Sequence, residues 1–299
     1  NTVVNPMLNT LGGGGNKGNE LIQIGGTLNS LTGTLTPMLV GALIGTVTKD
    51  TVISDVNPVL YIAMGVFALA FIILMMVRIP EPGLKNRAAK AAVHTKDAYS
   101  AWNFRHFVMG AIGIFIYVGV EVGIPGTMTY FLEGVKGATI AGFVAGTYWF
   151  MMFIGRFIGG AIASKVSSKT MLATASSIGI LLVLGAIFLP TTITVSMPVF
   201  TGSGFSMEQA PINALLLVLC GLCTSVMWGG IFNLAVEGLG KYTAAASGIF
   251  MMMVVGGGVL PLIQNWIADI STYMTSYWVP VAGLAYLLFY ALVGSKNVN

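Results

Sequence analysis

Glu121 is the residue of this chain with the most chemistry open to it. It stands in FIYVGVEVGIPGTMTYFL, with at least ten apolar residues before it and Pro125 four places after it. An ionisable side chain inside a bilayer costs a few kcal/mol at least, and it tends to face a protein interior or a water-filled path. Pro125 has no N–H for the carbonyl one turn back, so the backbone near Glu121 can open and expose polar groups. Two uses suit such a carboxyl: hydrogen bonding to a polar solute, or taking up and releasing a proton. A structural bond to a neighbouring helix is the alternative.

Other polar residues in apolar runs are lesser candidates. In LIQIGGTLNSLTGTL, Asn29 and Gln23 are six apart, which puts them roughly 120° apart around a helix. Asn29 is the candidate to line a path; Gln23 reads more as a tie between helices. Asn233 in GGIFNLAVEGLGKY and the pair Gln264 and Asn265 in LPLIQNWIAD join the set, although nearby Asp269 suggests that solvation explains the pair. Tyr148, Trp149 and Trp228 fall at midspan. Rings stack on apolar C–H faces of a sugar while amides bond its hydroxyls; core filling is the alternative use. Tyr277 and Trp278 read as anchors at the membrane interface.

Several motifs fail. The loop Gly12-Gly13-Gly14-Gly15-Asn16-Lys17-Gly18 has Asn16 and Gly18 where a phosphate loop needs Gly before the Lys and Ser or Thr after it. Cys220 and Cys223 spell C-x-x-C inside an apolar run, far from both histidines, and read as small residues on one face of a helix. No paired carboxylates, nucleophile elbow or HExxH sequence occurs. No catalytic residue, cofactor or metal site is therefore expected, and the chain does not read as an enzyme.

The elements that must hold these residues are membrane helices. Of 299 residues, 56% are hydrophobic and 8% charged, against roughly 25% charged in a soluble domain. A net charge of +4 spread over so few charges builds no nucleic-acid surface. Since a hydrocarbon core takes about 20 apolar residues per helix, eight complete spans are expected: Leu21–Val47, Pro58–Val77, Phe107–Leu132, Ile140–Ala163, Thr170–Leu189, Ala214–Leu234, Thr243–Ala268 and Tyr277–Val293. Asn1–Leu11 reads as a partial one.

Basic residues mark the cytoplasmic loops. One alternate set of loops and helix ends holds Lys17, Arg78, Lys85, Arg87, Lys90, Lys96, Arg105, Arg156, Lys165, Lys169, Lys241 and Lys296, leaving only Lys49 and Lys136 for the other. The C-terminus and the polar stretch after Arg78 are therefore expected in the cytoplasm. Residues 81–104 read as a linker, 1–80 as the latter part of a first helix bundle and 105–299 as a second bundle of six helices. Two six-helix halves are a common transporter design, so a twelve-helix chain truncated at its front is expected.

Several strings resemble the major facilitator superfamily and, within it, the fucose–galactose–glucose:proton symporter family: LAVEGLGKYTAAASG (234–248), VGGGVLPLIQNWIAD (255–269), YVGVEVGIPG (117–126), and Asn5-Pro6 together with Leu28-Asn29-Ser30. GRFIGGAIASKVSSK (155–169) looks like the superfamily's basic loop between two helices, with Arg156, Lys165 and Lys169 as a cytoplasmic latch and Ser164 and Ser167 replacing the usual Asp and Gly. The resemblance implies an all-α transmembrane two-bundle fold in a bacterial inner membrane. It also implies import of a monosaccharide by alternating access, with protons as the coupling ion, by a chain that works as a monomer.

Carried over residue by residue, the family's E-T-x-x-N-P falls on Asn1–Pro6 with Asn1 in the acid's place. The family's Gln falls on Gly26, and its Asn is Asn29. Glu121 is the candidate to carry a proton. An uncoupled facilitator, a carrier of another small polar solute, and a sugar sensor on the same fold stay open. The charge bias makes one direct prediction: a cysteine introduced at Ala89 resists a membrane-impermeant thiol reagent in intact cells and reacts after lysis. Reaction in intact cells would invert the orientation.

Overall fold

Without water in the hydrocarbon region, a spanning segment satisfies its own backbone most simply as a helix, and this dictates the architecture. The structure, a computed structural model, describes residues 4–44, 52–77, 100–201 and 204–296. In chain order the helices are α1 (Val4–Leu11), α2 (Gly15–Ile44), α3 (Ile53–Met76), α4 (Arg105–Lys136), α5 (Ala138–Ala163) and α6 (Ser168–Phe188). Strands β1 (Thr194–Phe200) and β2 (Phe205–Pro211) follow. Then come α7 (Ile212–Thr224), α8 (Met227–Val236), α9 (Thr243–Met253), α10 (Gly256–Ile270), α11 (Tyr273–Ser276) and α12 (Trp278–Phe289), the last running into a π-helical turn over Tyr290–Gly294.

Among the described residues, seven helical stretches are long and apolar enough to cross a membrane: Val56–Met76, Arg105–Lys136, Ile140–Ala163, Ser168–Phe188, Ile212–Val236, Gly240–Ile270 and Tyr273–Gly294. Each falls on one expected span, and the eighth expectation, Leu21–Val47, falls largely on α2. Residues 81–99 of the expected linker, Lys49, and Arg78 with Lys85, Arg87, Lys90 and Lys96 lie outside the described residues.

The chain divides into two compact units, Thr32–Asp97 and the remainder, Asn1–Leu31 with Ala98–Asn299. In the smaller unit α3 is apolar on every side, with Phe67 76% and Met76 81% exposed, the pattern of a helix whose surroundings are apolar all round. The larger unit is organised on α4, which α10, α8, α5 and α12 pack against.

Glycine sets how close those helices come. A Cβ at Gly256 of α10 would strike the backbone carbonyl of Phe115 on α4, and one at Gly221 of α7 would strike that of Tyr148 on α5. Such small-residue faces are how membrane helices gain packing without a hydrophobic driving force between them. The turn from α1 to α2 is glycine of a different kind, with Gly13, Gly14 and Gly15 at φ of 73°, 74° and 57°, a region costly for side chains with a Cβ.

Two features go beyond the sequence reading. Between α6 and α7 the chain adds an antiparallel hairpin to the expected all-helical fold, pairing Thr194 with Pro211 through Phe200 with Phe205. Its signal was the alternation Ile193, Val195, Met197, Val199, a period of two that no helix shows. The hairpin is held to α5 by the Phe200 N–H, which donates to Thr147 Oγ1 at 2.7 Å, and by Phe150 stacked on Phe200 at 5.0 Å. Tyr277 is no interface anchor either. It is fully buried, and its hydroxyl donates to the Ile124 carbonyl at 3.0 Å, while neighbouring Trp278 is exposed.

The glycine contact is testable. Overpacking typically costs about 1–3 kcal/mol, so Gly256→Ala is expected to lower the thermal midpoint of the purified protein by several degrees. Gly142→Ala, where a Cβ would meet nothing within 4 Å, is expected to leave it within about a degree, both read by a thermal scan in detergent.

Candidate functional site

Glu121 lies halfway along α4, one turn after Tyr117 and one turn before Pro125. The Tyr117 hydroxyl donates to Glu121 Oε1 at 2.7 Å, the i to i+4 geometry that puts two side chains on one face of a helix. The same oxygen receives Arg156 Nη2 at 3.2 Å. Both ion-pair side chains are nearly enclosed, at 13% exposure for Glu121 and 11% for Arg156.

Arg156, expected in a cytoplasmic latch with Lys165 and Lys169, is set back from the turn that carries those two lysines. It lies within α5, seven residues before Ala163, which at 1.5 Å per residue is about 10 Å inside the helix end. Its guanidinium is buried only because the surroundings take up its donors. Nη1 donates to the Ser30 hydroxyl at 2.7 Å and the Gly26 carbonyl at 3.2 Å, and Nε to the Ser225 carbonyl at 3.3 Å. Gly26, in the place of the family's Gln, leaves room: a Cβ there would sit 3.6 Å from Arg156 Cδ. Lys165 and Lys169 lie exposed around the turn into α6, whose N-cap Ser167 accepts the Thr170 N–H.

The Ser225 carbonyl is available because the span Ile212–Val236 is interrupted between α7 and α8. The next carbonyl, Val226, accepts Gln23 Nε2 at 2.9 Å. Broken helices with backbone groups turned to side chains or ligands are typical of transporter sites near midplane. Just after the break Trp228, half-buried, sets its ring 6.2 Å from that of Tyr117.

The expected residues separate into those near this centre and those elsewhere. Glu121 and Trp228 come together through Tyr117. Asn29 is exposed, beside Ser30. Tyr148 is fully buried, its hydroxyl 2.9 Å from Thr224 Oγ1, which makes it a tie between α5 and α7; Trp149 meets it edge-on at 5.5 Å and is 39% exposed.

Asn233 accepts from Asn9 Nδ2 at 3.0 Å and donates to Ser168 Oγ at 2.9 Å, joining α1, α8 and α6. Gln264 is buried against Gly123 rather than solvated, its Nε2 without a hydrogen-bond partner, and Asn265 Oδ1 accepts from Thr127 Oγ1 at 2.9 Å, fastening α10 to α4. Cys220 and Cys223 are free and buried. Tyr117, Ser30 and the pairing of Arg156 with Glu121 were not read from the sequence, although an arginine in one apolar span and a glutamate in another was a readable sign of a pair.

The arrangement offers a carboxylate, a guanidinium and a phenol around one point, an indole beside them, and an exposed amide on α2. It can hold a small polyhydroxylated molecule or pass a proton through Glu121. Nothing in it activates a nucleophile.

Comparison with known proteins agrees with the fold. The model of the Major Facilitator Superfamily matches residues 22–262. A glucose/galactose transporter of Brucella abortus is 31% identical over 90% of this chain, and the chain spans 62% of that protein's length. A putative glucose/galactose transporter of Helicobacter pylori is 30% identical over 99% of the chain and 70% of its own length. The crystal structure of the Escherichia coli fucose:proton symporter superposes with a TM-score of 0.76 at 18% identity, covering 94% of this chain and 70% of that one. With its membrane-spanning helices, its fold and the family match in accord, the chain belongs to the major facilitator superfamily.

Proposed function

We propose that the protein is a secondary transporter that imports a monosaccharide by alternating access, with Glu121 at the solute site and as the group that exchanges the coupled proton. One observation carries this reading: an enclosed carboxylate–guanidinium pair with a phenol and an indole, set at a helix break in the middle of a membrane protein. A pair in such a place is expensive to bury, and intramembrane charges generally mark a solute or proton path. Relatives named as sugar transporters support the choice of solute class, and one named as an L-fucose-proton symporter supports the proton.

In this reading a sugar hydroxyl donates to Glu121 while the Arg156 N–H groups donate to ring or hydroxyl oxygens, and Trp228 covers an apolar face of the ring. Asn29, exposed on α2, adds an amide from the opposite side. Residues 1–80 then belong to one bundle and 105–299 to the other. The basic loops and the C-terminus lie in the cytoplasm, and the membrane is the bacterial inner membrane.

Asn1, standing where the resembling family has an acid, favours a second reading: an uncoupled facilitator on the same site.

Uptake of labelled glucose, galactose and fucose into proteoliposomes, with and without an inward proton gradient, tests both. Saturable uptake driven by the gradient is expected; uptake indifferent to it selects the facilitator, and no uptake of any of the three rejects a sugar. At the site, Glu121→Ala leaves hydroxyl partners unsatisfied at about 1–3 kcal/mol, so sugar binding is expected to weaken about 5- to 150-fold. Glu121→Gln keeps hydrogen-bonding capacity and should weaken binding less. It is nonetheless expected to abolish accumulation while sugar exchange continues, since exchange needs no net proton movement. Wild-type binding and accumulation by Glu121→Ala would make the carboxyl structural.

A further inference from the structure

One side of α2 makes a continuous polar line against other helices. Asn19, Gln23, Gly26 and Ser30 are spaced by four, three and four residues, the interval that keeps side chains on one helix face. Each meets a partner from the later helices. Asn19 Nδ2 reaches Met171 Sδ on α6 at 3.7 Å, and Gln23 bonds the Val226 carbonyl at the start of α8. The Gly26 carbonyl and Ser30 hydroxyl both take Arg156 of α5. Asn9 of α1 extends the line to Asn233 and Ser168.

Asn9, Asn19, Gln23 and Asn233 are all under a tenth exposed. Glycines lie along the facing surface: a Cβ at Gly229 would come within 2.9 Å of both Asn19 Oδ1 and Gln23 Nε2, and one at Gly160 would lie 3.8 Å from Gln23 Cβ. The contact is a seam of neutral amides and small residues, and among the described residues Arg156 is its one cationic link. That link is also the partner of Glu121.

We propose that Arg156 is a positioning residue that couples the charge on Glu121 to closure of this seam. The proposal rests on the transport reading above, in which the seam separates the two bundles at the end carrying Lys17, Lys165 and Lys169. With Glu121 ionised, the guanidinium is neutralised where it lies and can bond Gly26 and Ser30 inside a closed seam. With Glu121 neutral, the same closed seam encloses an uncompensated cation, a situation proteins strongly avoid, and water entering between α2 and α5 relieves it.

Arg156 is the cation paired with Glu121. The other titratable groups nearby are the phenols of Tyr117 on the same helix and Tyr148 of α5 and the thiol of Cys220 of α7, none of them a cation or a carboxylate, and Trp228 of α8 and Gln264 of α10 bring no charge. A proton arriving at Glu121 thus weakens a contact several residues away that it does not touch.

The test uses the whole protein in lipid nanodiscs, without sugar, with Cys220→Ala and Cys223→Ala to remove the native thiols and Asn19→Cys as reporter. The reading is the rate of reaction with a water-soluble maleimide. A slow reaction is expected with Glu121 and Arg156 in place, at least tenfold faster with Glu121→Gln, and back within about threefold of the starting rate with Glu121→Gln and Arg156→Gln together.

Arg156→Gln alone is expected to stay slow, because Glu121 can then accept a proton; a merely structural arginine would make it fast. An unchanged rate in Glu121→Gln, or a double variant as fast as the single one, overturns the coupling. Sugar uptake by the unaltered chain is scored separately: no uptake together with the expected rates would end the transport reading and leave the coupling standing.

Discussion

A guanidinium and a carboxylate held together inside a bilayer impose conditions on everything around them. Neither is tolerable there alone, so the chain must bring α4 and α5 into register at Glu121 and Arg156, and must supply acceptors for the guanidinium donors that the carboxylate leaves over. The break between α7 and α8 answers that second demand with the Ser225 carbonyl, and α2 answers it with Gly26 and Ser30. A regular helix through Ser225 and Val226 would deprive the pair of part of its surroundings. Several local irregularities of this fold therefore trace to one electrostatic requirement.

The other side of that requirement is packing. Helices in lipid gain little from hiding apolar surface, because lipid is equally apolar. The α4–α10 and α5–α7 contacts rely instead on backbone approach at Gly256 and Gly221, and on single hydrogen bonds such as Thr127 to Asn265 and Tyr148 with Thr224. Residues that look functional because they are polar in an apolar string can thus be fasteners. Asn233, Asn265 and Tyr148 each tie one helix to another in this structure.

Span positions were legible because hydropathy over about 20 residues is an unambiguous signal, and Glu121 was legible because an acid in such a span has few innocent explanations. The depth of Arg156 and its pairing with Glu121 were not legible, for a reason that is also physical. Charge counting along a sequence assigns a residue near a helix end to the loop, and only the depth of the side chain shows otherwise. The partners of the Glu121–Arg156 pair come from α2, α4 and the α7–α8 break, far apart in the chain, and no periodicity within one helix reports a contact between several. The hairpin was written in alternation at 193–199 but lay between two strong membrane signals that drew attention from it. Tyr277, one residue from exposed Trp278, differs from it only in which way the helix turns.

The neutral make-up of the seam has a consequence for how the protein meets its medium. Dissolved ions weaken contacts between exposed charges over a Debye length of about 8–10 Å at ordinary ionic strength, and they scarcely reach buried ones. A closure made of Asn9 on Asn233, Gln23 on a carbonyl and an enclosed ion pair is therefore deaf to salt. A joint of this composition would hold with the same strength through large swings in the ionic strength of the water on either side.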